Sequence, residues 1–290
     1  MKIKYRIHLA KINKLATATI MILTLFSCVN KELKNDWTED GLKGKVKTVI
    51  QITYKGKYNK FAEIEKGEIL GANNYKIIYD ETGNKIEENW YNSDGSLNFK
   101  LIYKYDENGN KIEAIYYTSS GHSDEKLTYK YDQQGNQIEI NLYNSDGSLN
   151  IKRTYKYDKK GNQIEENEYN SDGSLNKKWT YKYDKKGNKI KENWYNSDGN
   201  LVSKCDYKYD KKGNKNEFII YHLDGSISMT IKYDENGNKI GEINHTPKDI
   251  YPFATYQYEY DKQKNWTKKI EFEDGCILET ITEREYQYYE

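Results

Sequence analysis

The chain has 290 residues, with 46 Lys and Arg against 45 Asp and Glu, so its net charge is +1. Lysine is spread evenly and mixed with acidic residues, which excludes the basic stripe of a nucleic-acid binder; no nucleic-acid partner is expected. Only 36% of residues are hydrophobic, which alone would suggest disorder, but 30 tyrosines in regular strand patterns predict a sheet held by aromatic ladders.

The first segment reads as a targeting signal. Lys2, Lys4, Arg6, Lys11 and Lys14 precede an apolar run, Leu15 to Phe26, that is short for a membrane span. Leu25-Phe26-Ser27-Cys28 resembles the lipobox of bacterial lipoproteins. The resemblance implies a signal peptide over residues 1–27, a lipid on Cys28 that ties the chain to a membrane, and a place in the bacterial cell envelope, at the outer membrane. Cleavage would leave 41 basic against 45 acidic residues, a net charge of −4. Residues 28–45 then read as a lipidated tether and 46–78 as an N-terminal cap, with a strand over 46–54 and irregular chain over 55–75.

Tandem repeats fill residues 79–244. Tyr-Asp recurs every 26 residues, and the Gly that follows keeps step: Tyr79/Asp80/Gly83, Tyr105/Asp106/Gly109, Tyr131/Asp132/Gly135, Tyr157/Asp158/Gly161, Tyr183/Asp184/Gly187 and Tyr209/Asp210/Gly213. A fixed period of this size means stacked supersecondary units. Each unit holds two turns of one kind, Tyr79-Asp80-Glu81-Thr82-Gly83-Asn84 and Tyr91-Asn92-Ser93-Asp94-Gly95-Ser96. Asp or Asn starts such a turn and Gly closes it with a bulge, so the unit predicts two antiparallel strands. The fold class is therefore all-β: a long antiparallel meander.

Pairing Tyr91 with Ser96 sets Trp90 opposite Leu97 and Glu88 opposite Phe99; pairing Tyr105 with Asn110 sets Leu101 opposite Ala114. One face then carries Ile86, Trp90, Leu97, Phe99, Leu101, Tyr103 and Tyr105, and the other Lys85, Glu87, Asn89 and Lys100. Glu87/Lys100, Glu139/Lys152 and Glu165/Lys178 fall opposite each other. A constant offset of the ladder predicts a twisted, coiled sheet of roughly 17 strands, with the Tyr/Ile/Leu face concave. Residues 245–290 are irregular repeats and a cap. His245 to Phe253, which holds Pro247 and Pro252, predicts an excursion at a sheet edge. Cys205 and Cys276 lie too far apart in a meander to pair, and both are expected on strands.

No motif points to catalysis. Glu87-Glu88 and Glu165-Glu166 are adjacent on strands and so face opposite ways, and the histidines lack ligand spacing. Asp106-x-Asn108-Gly109-Asn110 starts like a calcium loop, but its Gly comes early and no bidentate Glu follows. Neither a metal nor a cofactor is expected, and the chain is not expected to be an enzyme.

Tyr-Lys-Tyr-Asp-x-x-Gly-Asn-x-Ile-Glu, as at Tyr155 to Glu165, resembles the YD repeat of the RHS-repeat family, over about residues 76–290. The fit is to short Bacteroidetes-type RHS-repeat lipoproteins without a toxin domain. In large relatives such repeats wind into a shell around a toxin, which implies here a partial shell. Asn89-Trp90-Tyr91-Asn92-Ser93-Asp94-Gly95-Ser96, echoed from Asn193 to Asn200, also resembles choline- and glucan-binding repeats. That resemblance makes Trp90, Tyr91, Trp194 and Tyr195 candidate ligand contacts. The leading expectation is a non-enzymatic, envelope-anchored scaffold or protein-binding surface. A carbohydrate- or cell-wall-binding module is the second, and an accessory or immunity-like relic of an RHS toxin system the third.

Overall fold

A computed structural model describes residues 35–71, 73–245 and 250–290; Cys28 and the signal segment lie outside them. The turns show why the repeat has its signature. The Asp106 carboxylate accepts hydrogen bonds from the backbone N–H of Asn108 at 2.9 Å, the backbone N–H of Asn110 at 2.8 Å and the Asn110 side-chain amide at 2.9 Å. Gly109 closes the turn at φ +80. Asp thus holds the loop from within, Asn answers it, and Gly takes the left-handed conformation. The same carboxylate bonds recur at Asp132, Asp158, Asp184 and Asp210. Gly135, Gly161, Gly187 and Gly213 take the place of Gly109 in those turns. Each donates its N–H to the carbonyl of the Asp three residues before it, at 3.0 to 3.2 Å. Lys264 stands where the last turn would have Gly, and it is forced to φ +69.

Each turn leads into an antiparallel pair. The strands are β1 (Val46–Tyr58), β2 (Ile64–Ile69), β3 (Asn74–Tyr79), β4 (Lys85–Tyr91), β5 (Leu97–Tyr105), β6 (Lys111–Thr118), β7 (Ser123–Tyr131), β8 (Gln137–Tyr143), β9 (Leu149–Tyr157) and β10 (Gln163–Asn170). The chain continues through β11 (Leu175–Tyr183), β12 (Lys189–Asn196), β13 (Leu201–Tyr209), β14 (Lys215–Tyr221), β15 (Ile227–Tyr233), β16 (Lys239–His245), β17 (Ile250–Tyr260), β18 (Trp266–Glu273) and β19 (Ile277–Tyr288). Among the described residues one short helix, α1 (Asp36–Glu39), precedes them.

The meander is present, but the sheet is closed rather than open. β1 pairs with β19 from Val46↔Tyr288 to Lys55↔Thr280, and with β3 from Thr48↔Ile78 to Gln51↔Tyr75. β1 and β3 to β19 therefore form an 18-stranded antiparallel barrel. β2 pairs only with the far part of β1, around Gly56↔Lys66. Closure satisfies the backbone groups that two free edges would leave exposed. The coiling expected from the offset ladder thus runs to completion.

The register differs from the expected one by two residues. Trp90 opposes Phe99 and Glu88 opposes Leu101; Tyr103 opposes Ala114 and Leu101 opposes Tyr116. A bulge beside each turn, as between Lys104 and Tyr105, supplies one residue of the difference, and the pairing of Tyr105 with Lys111 rather than Asn110 supplies the other. A slip of two keeps the faces, so Leu101, Tyr103 and Tyr116 still share the inner wall. Two residues are exceptions: the bulge opposite Tyr79 turns Lys85 inward, where it is 4% exposed, and leaves Ile86, expected on the concave face, unpaired and 40% exposed. Two of the three expected ion pairs form as diagonals, Glu139–Lys152 and Glu165–Lys178, each at 2.7 Å.

Four further expectations are corrected. The chain over 55–75 is not irregular, since β1 runs on to Tyr58 and β2 and β3 follow. The stretch 35–45 is no tether: Trp37 and Leu42 pack on the buried cluster of Val46, Val49, Tyr75, Ile77 and Tyr79. Of the stretch His245 to Phe253, residues 246–249 lie outside the described residues; Pro252 sits at no edge, because β17, on which it opposes Ile243, pairs with both β16 and β18. Cys205 lies on β13 as expected, but Cys276 falls in the turn before β19; both thiols are free.

Candidate functional site

The alternation of each strand sorts its side chains into two walls. The outer wall carries ion pairs. Glu139 lies between Lys130 and Lys152, and Glu165 between Lys156 and Lys178, every contact at 2.7 Å. These two carboxyls are pushed down to about 2, because the lysine and asparagine bonds outweigh the opposing effect of burial. The inner wall carries tyrosines and carboxylates. The Tyr103 hydroxyl donates to Glu88 at 2.9 Å, Tyr181 to Glu166 at 3.1 Å, Tyr207 to Glu192 at 2.7 Å and Tyr256 to Glu242 at 2.9 Å. Burial and the facing carboxylate both raise these phenols. The inner wall meets open space, since inward Lys177 keeps a 40% exposed side chain beside the buried Glu168.

The signature tyrosines stitch this wall together. The hydroxyl of Tyr131 donates to the Lys111 carbonyl, Tyr157 to Gln137, Tyr183 to Gln163 and Tyr209 to Lys189, between 2.6 and 2.8 Å. Each reaches a carbonyl 20 residues upstream, on the adjacent preceding strand. The constant spacing inside the chain is thus a hydrogen-bond requirement, and the Tyr in Tyr-Asp bonds the ring together. The signature glycines are not gathered into a site. Gly135, Gly161, Gly187 and Gly213 each stay in their own hairpin turn, between one strand and the next, and serve the turn alone.

Helix α1 enters the mouth of the barrel at this end. Asn35 caps it, accepting from the Thr38 N–H at 3.2 Å. Asp36 is 5% exposed and accepts from the Lys85 N–H at 2.7 Å, the Tyr105 hydroxyl at 2.6 Å and the Lys111 ammonium at 3.0 Å. Burial pushes the Asp36 carboxyl up, but Lys111, Lys85 and the two hydrogen bonds hold it below its usual range. Asp40 accepts from the Tyr79 hydroxyl and pairs with Lys85 at 3.2 Å. Lys85 also meets Glu88 at 2.8 Å; burial opposes its charge, but the two carboxylates keep its ammonium well above the usual range. The inner ring of lysines is therefore a carboxylate-binding device, and the chain uses it on its own acidic segment.

A second inner feature is a row across β9 to β13: Tyr155, Glu166, Trp179, Trp194 and Ser203, each opposite the next. The two indoles stack with centroids 5.9 Å apart and an interplanar angle of 11°. The Tyr155 hydroxyl and the Trp194 indole N–H are buried with no hydrogen-bond partner among the described residues. Fifteen positions before Tyr155 stands Ile140, where Tyr181 and Tyr207 find a glutamate, which explains the orphan hydroxyl. Burial, and then the nearby Glu168 and Glu192 charges, leave the Glu166 carboxyl raised despite Arg153 and the Tyr181 hydroxyl.

The four aromatic residues singled out in the sequence do not come together. Trp90 points inward, donates to Glu88 at 3.2 Å and stacks on Phe99 at 5.5 Å. Tyr91 faces the outer wall beside Glu87, and Tyr195 lies on the outer wall with Asn193, 3.3 Å away. Trp194 is inward on β12, eight strands from β4. Adjacent strand residues face opposite ways, so a Trp-Tyr dipeptide cannot line one box. The lumenal residues that sequence reasoning missed, Lys85, Lys111 and Asp36, had one signal: a lysine after Gly-Asn in some repeats and Gln in others. Among the described residues no group of His, Cys, Asp and Glu is arranged to hold a metal ion.

No family model and no curated protein matches the chain. Among solved structures, it is similar to a porin-like protein from Bacteroides uniformis, at TM-score 0.42 and 11% identity over 82% of this chain and 97% of that one. A porin-like protein from Bacteroides vulgatus gives TM-score 0.40 and 13% identity, over 84% and 100% of the two chains. The TcdB2-TccC3-Cdc42 structure gives TM-score 0.22 and 10% identity over 79% of this chain and 17% of that one. At these overlaps neither kind of likeness carries a function to this chain.

Proposed function

We propose that this is a non-enzymatic, lipid-anchored protein of the bacterial cell envelope, and that its barrel is a rigid scaffold for a protein partner. The observation that carries the reading is the outer wall. A barrel that spans a bilayer presents a lipid-facing apolar band about 25 Å tall. Here the outer wall carries Glu139, Lys152, Glu165 and Lys178 in ion pairs, with Thr128, Asn141, Thr154 and Asn167 at mid-strand and Lys130 and Lys156 closing the pairs beside the turns. Such a wall belongs in water or against a polar partner, so attachment falls to the lipid on Cys28 at the outer membrane. The resemblance to RHS repeats supports the same reading: a winding sheet whose surface, not whose chemistry, is the working part.

The test is fractionation of cells that express the wild type and Cys28→Ala, followed by cross-linking and identification of captured proteins. Membrane retention of the wild type and release of the variant support the anchor. Retention of both in the bilayer after alkaline washing would point to a spanning barrel and sink the reading.

A second reading, a carbohydrate-binding module, is favoured by one observation: on the inner wall Trp194 stacks on Trp179 and keeps a buried indole N–H with no hydrogen-bond partner among the described residues. It predicts glycan-array binding that is lost in a still-folded Trp90→Ala/Trp194→Ala variant. The third reading, an immunity-like relic of a toxin system, rests on the RHS resemblance alone.

A further inference from the structure

The residues that receive α1 recur elsewhere in the barrel. The first set holds Asp36 and Asp40 and is built from Lys85, Lys111, Tyr105 and Glu88. Four repeats on, 104 residues later, the same positions are Lys189, Lys215, Tyr209 and Glu192. The geometry is kept. The Tyr209 hydroxyl donates to the Lys189 carbonyl at 2.8 Å, as Tyr105 donates to the Lys85 carbonyl at 2.6 Å. Lys189 meets Glu192 at 3.6 Å, as Lys85 meets Glu88 at 2.8 Å. Between the two stations the ring positions are Gln137 and Gln163, so a lysine pair is a property of particular repeats and not of the motif.

The second lysine of each pair is the informative one. Three residues after Lys111 stands Ala114, and three after Lys215 stands Phe218; neither lysine has the glutamate that serves Lys85 and Lys189. Lys111 is matched by Asp36 from α1 at 3.0 Å. The Lys215 ammonium instead lies 3.7 Å over the Tyr233 ring, and it pairs with no carboxylate among the described residues. Burial and the nearby Lys189 charge bring it down to about 8. The turns around it are basic as well. Lys159, Lys160, Lys185, Lys186, Lys211 and Lys212 occupy three successive Asp-Lys-Lys-Gly-Asn turns, whereas the turns flanking Asp36 read Asp-Glu-Thr-Gly-Asn and Asp-Glu-Asn-Gly-Asn.

We propose that Lys189 and Lys215 form a second docking station, which takes an acidic peptide segment of a partner protein in the way the first takes Asp36 and Asp40. A carboxylate of the partner accepts from the Lys215 ammonium and the Lys189 backbone N–H, and the basic turns draw the acidic chain to the mouth. This deepens the scaffold reading and rests on it: it names the chemistry of the partner and the part of the barrel that receives it.

The test is fluorescence anisotropy of a labelled peptide with the sequence of residues 35–42, Asn-Asp-Trp-Thr-Glu-Asp-Gly-Leu, titrated with the intact mature chain. Saturable, salt-sensitive binding is expected. It should weaken at least tenfold in Lys215→Gln and in Lys189→Gln/Lys215→Gln, and with a peptide in which both aspartates are Asn. Lys126→Gln, on the outer wall, should leave it unchanged. Thermal unfolding of each variant shows that the barrel persists. No saturable binding, or binding indifferent to Lys215→Gln, overturns the proposal. So does loss in Lys111→Gln alone, which would mean exchange with α1, or equal competition by acetate, which would mean a site for small ions. If cross-linking captures the same envelope partner with and without the lysine pair, the inference falls and the scaffold reading stands. If no partner is captured in either case, both fall.

Discussion

Tyr105 donates its hydroxyl to the Asp36 carboxylate at 2.6 Å, across 69 positions of sequence. The same carboxylate holds the Lys85 N–H and the Lys111 ammonium, so its removal strands three groups that burial has taken from water. Asp36→Asn should cost about 2–4 kcal/mol at neutral pH, the range for breaking one side of a buried pair. Urea unfolding measures it, and hydrogen exchange should show residues 35–45 released. The pH dependence has a definite sign. The folded Asp36 carboxyl titrates below its ordinary range, so its contribution is present above about pH 4 and is lost as pH falls through the lower folded value. The gap between wild type and variant should therefore close in acid.

Gly83 and Gly109 separate the docking of α1 from turn geometry. Both have left-handed φ, +90 and +80. A Cβ on Gly109 would meet nothing within 4 Å, but one on Gly83 would run into the Asn35 amide and the Trp37 ring. Gly109→Ala should cost about 1 kcal/mol, the strain alone. Gly83→Ala should cost more and should undock α1, seen as a shift in Trp37 emission. Equal costs would mean that α1 does not rest on this turn.

Tyr155 and Tyr181 are repeat equivalents with opposite bonding. The Tyr181 hydroxyl meets Glu166 at 3.1 Å, while the Tyr155 hydroxyl is buried without a partner. Tyr181→Phe should destabilise by about 1–2 kcal/mol, since it also leaves a buried carboxylate with one bond fewer. Tyr155→Phe should be neutral or slightly stabilising. Paired thermal denaturation curves decide this, and a large loss at Tyr155 would contradict the placement of its hydroxyl.

Lys215 gives a prediction at the alkaline end. Its folded ammonium titrates at about 8, and the unfolded chain holds the proton to about 10.4. Between those values the unfolded state binds more protons, so stability rises with pH. Lys215→Met should be the more stable chain at pH 7, by on the order of 1–2 kcal/mol after allowance for partial exposure. Its advantage should shrink from pH 8 to 10.5. Wild type and variant unfolded side by side at each pH cancel the shared effect of the tyrosines.

The repeats, the turn chemistry and the alternation of faces were legible because each is local. Asp106, Gly109 and Asn110 sit within five positions, and their bonding follows from residue type. The register differs by two because Tyr105 pairs with Lys111 rather than Asn110 and a bulge then sets Lys104 against Glu113; neither step leaves a mark in composition, and the skipped residue looks like any other strand residue. The same bulge hid the inward turn of Lys85. Closure was not legible for a different reason. Thr53 meets Thr282 across 229 positions, and neither strand carries the repeat signature that made the others visible. Of the candidate contacts, Trp90 lies on the concave face as expected, and Trp194 shares that face. Tyr91 and Tyr195 were grouped with them by adjacency, which strand geometry forbids.

The seam between β1 and β19 makes the gene's arithmetic discrete. The first and last strands of the ring run antiparallel, which holds only while the ring has an even number of strands. Copying one whole 26-residue unit adds two strands and lets the ends meet again on a slightly wider circle. Copying half a unit adds one, and β19 would reach β1 pointing the wrong way. Unequal recombination within this gene can therefore lengthen or shorten the protein only in complete steps, and survivors should differ by multiples of 26 residues, however similar the two halves of the unit look.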